Sequence, residues 1–308
     1  MVSSRLKPWQ LGLLLVSACT LVLGMFTFFR FRKTITPAEM LKRLPSRDSV
    51  LLYIDFKGLR ETGLLEALSG STVAQDADYR AFVSLSGFDY QRDLESVFAS
   101  FRDGHVFVLA SGRFDWPSLR SYVTKQKGQC LNGFCRFPAS QPDRFLSFHP
   151  LQTDYLAFAS SPDPYAATHM DRARDAETPE FPTPPVWVSV PGSKFRTAVN
   201  LPAGAKLFAT ALADTEVANF GLDRAGPSYF LTLEVRTKSL AQASIVVLEL
   251  NKITTTMATY FERMGQKPNP ADLSGVLTAG KFEQQGNEAR GRWQISQQFI
   301  EALIGGRL

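Results

Sequence analysis

Three patterns in this sequence predict an α+β protein: an N-terminal transmembrane helix followed by two related units, each an antiparallel sheet packed with helices. The first pattern is Leu11–Phe29, an apolar run of nineteen residues without a charge. The second is a series of short apolar runs, bounded by turn formers and separated by stretches with helical spacing, which read as strands and helices in alternation. The third is an order of elements (strand, helix, two strands, helix) that occurs near residues 105–174 and again near 229–304. Antiparallel sheets covered by helices satisfy such an order.

The apolar run, made helical at about 1.5 Å per residue, nearly crosses a hydrocarbon core of roughly 30 Å. Arg5 and Lys7 precede it, and Arg30, Arg32 and Lys33 follow it. No acidic residue occurs among the first 33, so these five account for the whole excess of 34 basic over 29 acidic residues. The remainder is neutral, which argues against a nucleic-acid partner, since that requires net positive charge on the folded domain. The reading is therefore a membrane anchor over residues 1–33, with the lipid bilayer as partner through residues 11–29.

Two processed alternatives exist. Val16-Ser-Ala-Cys19 resembles a lipobox, in which Cys19 would become lipidated, but the chain stays apolar for ten residues where lipoproteins turn polar. A cleaved signal peptide needs a shorter apolar core and a small-x-small site. The flanking charges, taken literally, place the domain in the cytoplasm. That rule weakens for long translocated domains, and a cysteine pair taken up below favours an extracytoplasmic (periplasmic) domain on a single-pass protein.

Residues 34–48, with Pro37 and Pro45, read as a juxtamembrane stalk. The first unit, 49–174, opens with the strand Ser49–Phe56, whose nearly continuous apolar run suits a strand covered on both faces. A short helix ends at Gly70, and another spans Ala77–Leu85 with Gly87 as its C′ stop. His105–Ser111 is a strand. Asp115 caps a helix with Pro117 in its first turn and Gly128 at its end. Cys130-Leu-Asn-Gly-Phe-Cys135 carries the Asn-Gly of a two-residue hairpin. Arg144–His149 and Tyr155–Ala159 are strands, and the segment after Pro164 is helical to about Arg174.

Residues 175–185 form a proline-rich linker, and the second unit, 186–308, begins with the strand Val186–Val190. Tyr229–Val235 is a strand, and a helix runs from a Ser239 cap to Met264. Along it, Leu240, Ala243, Val247, Leu250, Thr254, Met257, Phe261 and Met264 make a seam that packs on the sheet or on a second copy. A hairpin of Gly275–Glu283 with Glu288–Ile295 follows, then a last helix through Phe299, Ile300 and Leu303.

The stretches Leu44–Phe56, Gly87–Val97 and Gly104–Ala110 resemble a group of bacterial proteins with one N-terminal span and a duplicated α+β domain of unknown function. The resemblance covers mainly residues 44–125. It implies that architecture and a bacterial envelope setting, and brings no catalytic residues.

The chemistry-bearing residues are sparse. His105, His149 and His169 have no second ligand at metal spacing, so neither a metal site nor a cofactor is expected. Phosphate-binding, dinucleotide and nucleophile-elbow motifs do not occur. Asp89 and Asp93, with Arg92 beside them, form the one polar constellation, since acids at i and i+4 share a helix face. The structural reading is that Asp89 caps a helix and Asp93 favours its N-terminal dipole.

Cys130 and Cys135 would sit opposite each other as a non-hydrogen-bonded pair, a separation that a disulfide tolerates. Disulfides persist outside the cytoplasm. The function expected is a non-enzymatic, membrane-anchored envelope protein that binds a protein or lipid partner or scaffolds a complex. A hydrolase or other enzyme with an unrecognised site is the alternative.

Overall fold

The computed structural model describes residues 35–68, 77–172, 184–197, 201–226 and 228–304. Residues 11–29, Cys19 and most of the linker 175–185 lie outside them. No described helix is long and apolar enough to cross a membrane. The chain divides into a leading unit, Met1–Pro37, and a unit, Ala38–Leu308, that holds the whole sheet.

After helix α1 (Pro37–Arg43) comes strand β1 (Val50–Asp55). Asp55 starts helix α2 (Phe56–Glu61) by accepting the Gly58 N–H at 2.9 Å, and α3 (Leu64–Leu68) follows. Helix α4 (Ala77–Ser86) stops where Gly87 takes a φ of +70°, and α5 (Tyr90–Asp93) is a single turn. Strands β2 (Leu94–Arg102) and β3 (His105–Gly112) form a hairpin. Asp115 caps α6 (Trp116–Lys125) through the Ser118 N–H, with Pro117 in its first turn. The half closes with β4 (Gln129–Leu131), β5 (Phe134–Pro138), β6 (Phe145–Gln152), β7 (Tyr155–Ser161) and a 3₁₀ helix over Ala166–Met170.

The second half runs β8 (Val186–Pro191), α7 (Gly192–Arg196), α8 (Ala203–Leu212), β9 (Val217–Ala225) and β10 (Ser228–Arg236). Then come α9 (Leu240–Arg263), α10 (Leu273–Ala279), β11 (Lys281–Gln285), β12 (Glu288–Ile295) and α11 (Gln297–Ile304). Ser239 caps α9 by accepting the Gln242 N–H, and Gly265, at a φ of +67°, follows its end.

Among the described residues the strands join in one antiparallel sheet of twelve, in the order β11-β12-β10-β9-β8-β1-β2-β3-β7-β6-β5-β4. The halves meet at the β1–β8 pair. Outward from it, β2, β3, β7 and β6 on one side correspond in connection to β9, β10, β12 and β11 on the other. In each half a helix (α6 or α9) leaves the third strand, and the last strand of the half returns beside that third strand.

The alternation of side chains fixes what each face does. In the second half, Ala218, Tyr229, Leu233, Val235, Ala289, Trp293 and Ile295 share one face and one core with Val246 and Leu250 of α9 and Phe299 and Ile300 of α11. Ala243, Leu250 and Thr254 of the expected seam are buried, while its ends Leu240 and Met264 are exposed. In the first half, the corresponding face packs Cys135 and Phe148 against Leu119 and Val123 of α6. The reverse face there is also filled: Ser100 donates its hydroxyl to the Pro45 carbonyl, and the Ala167 N–H of the 3₁₀ helix donates to Ser147.

Three expectations are corrected. The short helix expected to end at Gly70 is two helices, α2 and α3, broken at Thr62–Gly63 where Gly63 takes a φ of +69°. The strand expected over Gly275–Glu283 is split, because Asp272 accepts the Ser274 N–H at 2.8 Å and caps α10 there, leaving only Lys281–Gln285 extended. The helix expected after Pro164 is the five-residue 3₁₀ helix. Strands β2 and β9 and helix α8 are additions to the elements the sequence marked.

Candidate functional site

The polar constellation is a closed knot. Asp89 is extended at the N-cap of α5, and its Oδ1 accepts the Gln91 N–H at 3.0 Å and the Tyr79 hydroxyl at 2.9 Å. Asp93, 7 % exposed, accepts Arg92 Nε at 2.9 Å on Oδ1, and Arg92 Nη2 at 2.6 Å and the Asp89 N–H at 2.9 Å on Oδ2. Arg113, just past β3, adds an ion pair at 3.3 Å. The hydrogen bonds from Arg92 hold the Asp93 carboxyl below the usual range, while burial and the Asp89 carboxylate push the Tyr79 phenol up.

The backbone closes the same knot. The Arg113 N–H donates to the Asp93 carbonyl at 2.8 Å, and a Cβ at Gly112 would collide with that carbonyl oxygen. A shallow hollow beside it is lined by Gly87, Phe88, Arg92, Asp93, Arg113, Phe114 and Asp115. A carboxylate held ionised with both oxygens engaged is poorly placed to exchange protons with a substrate. The capping role foreseen for Asp89 is what the geometry contains.

The three histidines are apart. His105 Nδ1 lies 3.0 Å from the Ser161 hydroxyl, His149 pairs with Asp171 at 3.2 Å, and His169 with Asp163 at 3.5 Å. Among the described residues no group of three or more His, Cys, Asp or Glu side chains is arranged to hold a metal ion. Cys130 and Cys135 pair across the β4–β5 hairpin and are joined by a disulfide, with Cα atoms 4.1 Å apart. The turn is Asn132–Gly133, both at positive φ, as a type I′ hairpin requires.

A different place on the molecule has the form of a binding site. Between α7, α8 and α10 and the sheet lies a cavity of about 250 Å³. Phe195, Leu201, Ala205, Phe208, Ala209 and Leu212 wall one side, Phe220, Leu231, Leu233 and Trp293 the sheet side, and Val276 and Leu277 of α10 a third. The one polar side-chain atom among these, Trp293 Nε1, lies against Gly280. Phe282 packs edge-on to Trp293 at 5.1 Å and fixes its ring. Beside the cavity, Gly204 lets α8 approach α10 closely, since a Cβ there would come within 2.5 Å of Leu277.

No protein-family model and no curated protein matches this chain. Among solved structures, the chain is similar to crystal form III of TP0453, with a TM-score of 0.51 at 12 % identity, covering 86 % of this chain and 97 % of that one. Crystal form I of the same protein aligns with a TM-score of 0.49 at 11 % identity, over 87 % and 97 % of the two chains. At such identity the likeness to crystal form III concerns the fold alone.

The cavity was not visible in the sequence. Its walls come from six elements spread over residues 195–293, and the helix spacing of Ala205, Phe208, Ala209 and Leu212 is the one local trace of it.

Proposed function

We propose that this chain is a single-pass membrane protein of the bacterial envelope whose globular part binds an apolar partner and performs no chemistry of its own. The observation that carries the reading is the apolar cavity. Its walls are apolar but for one indole nitrogen, so water standing in this cavity of about 250 Å³, which opens to solvent at Leu201, finds almost no side-chain hydrogen-bond partner. An apolar occupant removes that wall area from water at about 25 cal/mol per Å² of apolar surface, which is the thermodynamic reason for such a site to bind.

The anchor in this reading is Leu11–Phe29, and the two halves of the sheet are a duplicated unit carried on it. The shared strand connections across β1–β8 support the duplication. The disulfide supports an extracytoplasmic, periplasmic domain, because cytoplasmic thiols are kept reduced. The neutral charge of the globular part supports a partner other than nucleic acid.

The test leaves folding and loading to the full-length protein in its own membrane. A protease site placed at residues 34–36 then releases the domain without detergent, and whatever it carries is extracted and weighed by mass spectrometry. About one apolar molecule per released domain is expected. A released domain that carries none would end the binding reading.

A further inference from the structure

We infer that the tip of the β4–β5 hairpin is a second membrane contact: Leu131, with Phe134 and Tyr165 beside it, enters the interface of the bilayer that holds this chain's own anchor. This rests on the membrane anchor proposed above and not on the apolar cavity.

Leu131 is 74 % exposed, the most of any large hydrophobic residue among those described. It pairs with Phe134 across the hairpin, so the two side chains share a face. Phe134 stacks on Tyr165, itself 50 % exposed, with ring centroids 5.4 Å apart, and the Arg136 guanidinium lies 4.9 Å from the centre of the Tyr165 ring. Single exposed apolar residues are ordinary. A leucine, two stacked rings and a cation on one face are the residue types that settle at a membrane interface, with apolar bodies inside and polar tips in water. The acids that follow Tyr165 in the chain or just precede it, Asp171 and Asp163, each face a histidine, His149 at 3.2 Å and His169 at 3.5 Å. The hairpin holds Leu131 out, because the Cys130–Cys135 disulfide closes it and Asn132 and Gly133 form its tight turn.

The chain that carries the domain points to the surface this tip meets. The proposed span ends at Phe29, and nine residues lead to Ala38, the start of the unit that holds the sheet, about 30 Å at full extension. Within that unit the tip is near. Arg43 of α1 donates to the Asp171 carbonyl at 2.6 Å, Asp171 pairs with His149, and His149 follows Phe148, which pairs with Cys135 of the hairpin. A contact tethered at that range needs little affinity of its own, since the anchor keeps the tip at a high effective concentration near the lipid.

Fluorescence quenching tests the contact. Leu131→Trp is made in the full-length protein, which is placed in vesicles of phosphatidylethanolamine and phosphatidylglycerol, with or without lipid brominated on its acyl chains. Leu248→Trp, at a site 66 % exposed on α9, is the control. The parent's emission is subtracted from both, and their melting transitions report that they are folded. Bromolipid should lower the emission of the indole added at position 131 about twofold and leave that at position 248 unchanged. Iodide on both sides of the membrane should do the reverse.

If iodide quenches both indoles alike and bromolipid neither, the tip stands in water and the inference fails. An indole at position 131 that iodide cannot reach and bromolipid does not quench is covered by protein, a second copy included, and the inference fails again. Equal quenching of both by bromolipid means adsorption without a preferred face, which also overturns it. A carbonate wash separates this result from the anchor. Quenching at position 131 in a chain that carbonate then strips from the vesicles keeps the contact and ends the anchor, whereas a chain that resists the wash with no quenching at position 131 keeps the anchor and ends the contact. A chain that is stripped and was never quenched ends both.

Discussion

Tyr53 and Trp187 lie directly opposite each other on β1 and β8, the strand pair that joins the two halves of the sheet. Both are buried, at 6 % exposure each, and Tyr53 also stacks on Phe98 of β2 with ring centroids 4.4 Å apart. The junction is therefore core. Truncating Trp187 to Ala should cost about 3–5 kcal/mol. The sheet should still unfold in a single transition when followed by circular dichroism. Two separated transitions in the parent protein would mean that the halves are independent despite the shared sheet.

Tyr53 also gives the molecule an alkaline limit. Burial first, and the Asp55 carboxylate second, push its phenol up to about 12. Since the folded value lies above the unfolded one of about 10, the contribution is fully present below pH 10 and is lost as pH rises towards 12. A rise from about 10 to about 12 corresponds to at most about 2.7 kcal/mol. Denaturation midpoints should fall between pH 10 and 12, and less steeply in Tyr53→Phe. Tyr79 keeps part of the slope in that variant, because its phenol is raised as well.

How far the sequence discloses the fold depends on whether the deciding interaction is local. The caps at Asp89, Asp115 and Ser239, the Asn132–Gly133 turn and the apolar strands β1, β3 and β8 act within a few residues, and all were legible. Strand β2 was not. It places Ser96 and Ser100 in buried positions, where they are satisfied by Ser111 at 2.8 Å and by the Pro45 carbonyl, partners that only the folded sheet supplies. Val276 and Thr278 suggest a strand until the Asp272 cap is weighed against them. The acidic pair was visible at i and i+4. What closes it, Arg113 and the approach of Gly112, comes from across a hairpin. The cavity was hidden because no single element holds more than part of its wall.

The Asp93 knot should be structural in its effects. Asp93→Asn keeps the shape and removes the charge that Arg92 and Arg113 face, at a cost of about 1.5–3 kcal/mol. The folded carboxyl lies below its unfolded value of about 4, so its contribution is present above that pH and is lost as pH falls through the folded value. The variant should therefore lose less stability than the parent between pH 4 and 2. Equal acid sensitivity in both would show that another carboxylate governs that limb.

The long helix α9 should stay within its own copy. Leu250 is fully buried among the second-half core residues, and α9 packs on β11, β12, α8 and α10. Leu250→Ala should cost about 3–5 kcal/mol and leave the sedimentation of the released domain unchanged. A dimer that becomes a folded monomer on Leu250→Glu would instead place the seam between copies.

The disulfide bears on both stability and compartment. It closes a loop of six residues, so the chain-entropy estimate of its contribution is only about 2 kcal/mol. Cys135 is fully buried against the α6 core while Cys130 is partly exposed, so reduction disturbs packing at the sheet edge more than it opens the fold. Cys135→Ser should therefore cost somewhat more than Cys130→Ser, since it also buries a hydroxyl. Alkylation of intact cells before any reduction, followed by mass spectrometry, tests the compartment. Neither Cys130 nor Cys135 should be labelled. If both are, the bond does not form in the cell and the argument for an extracytoplasmic domain falls with it.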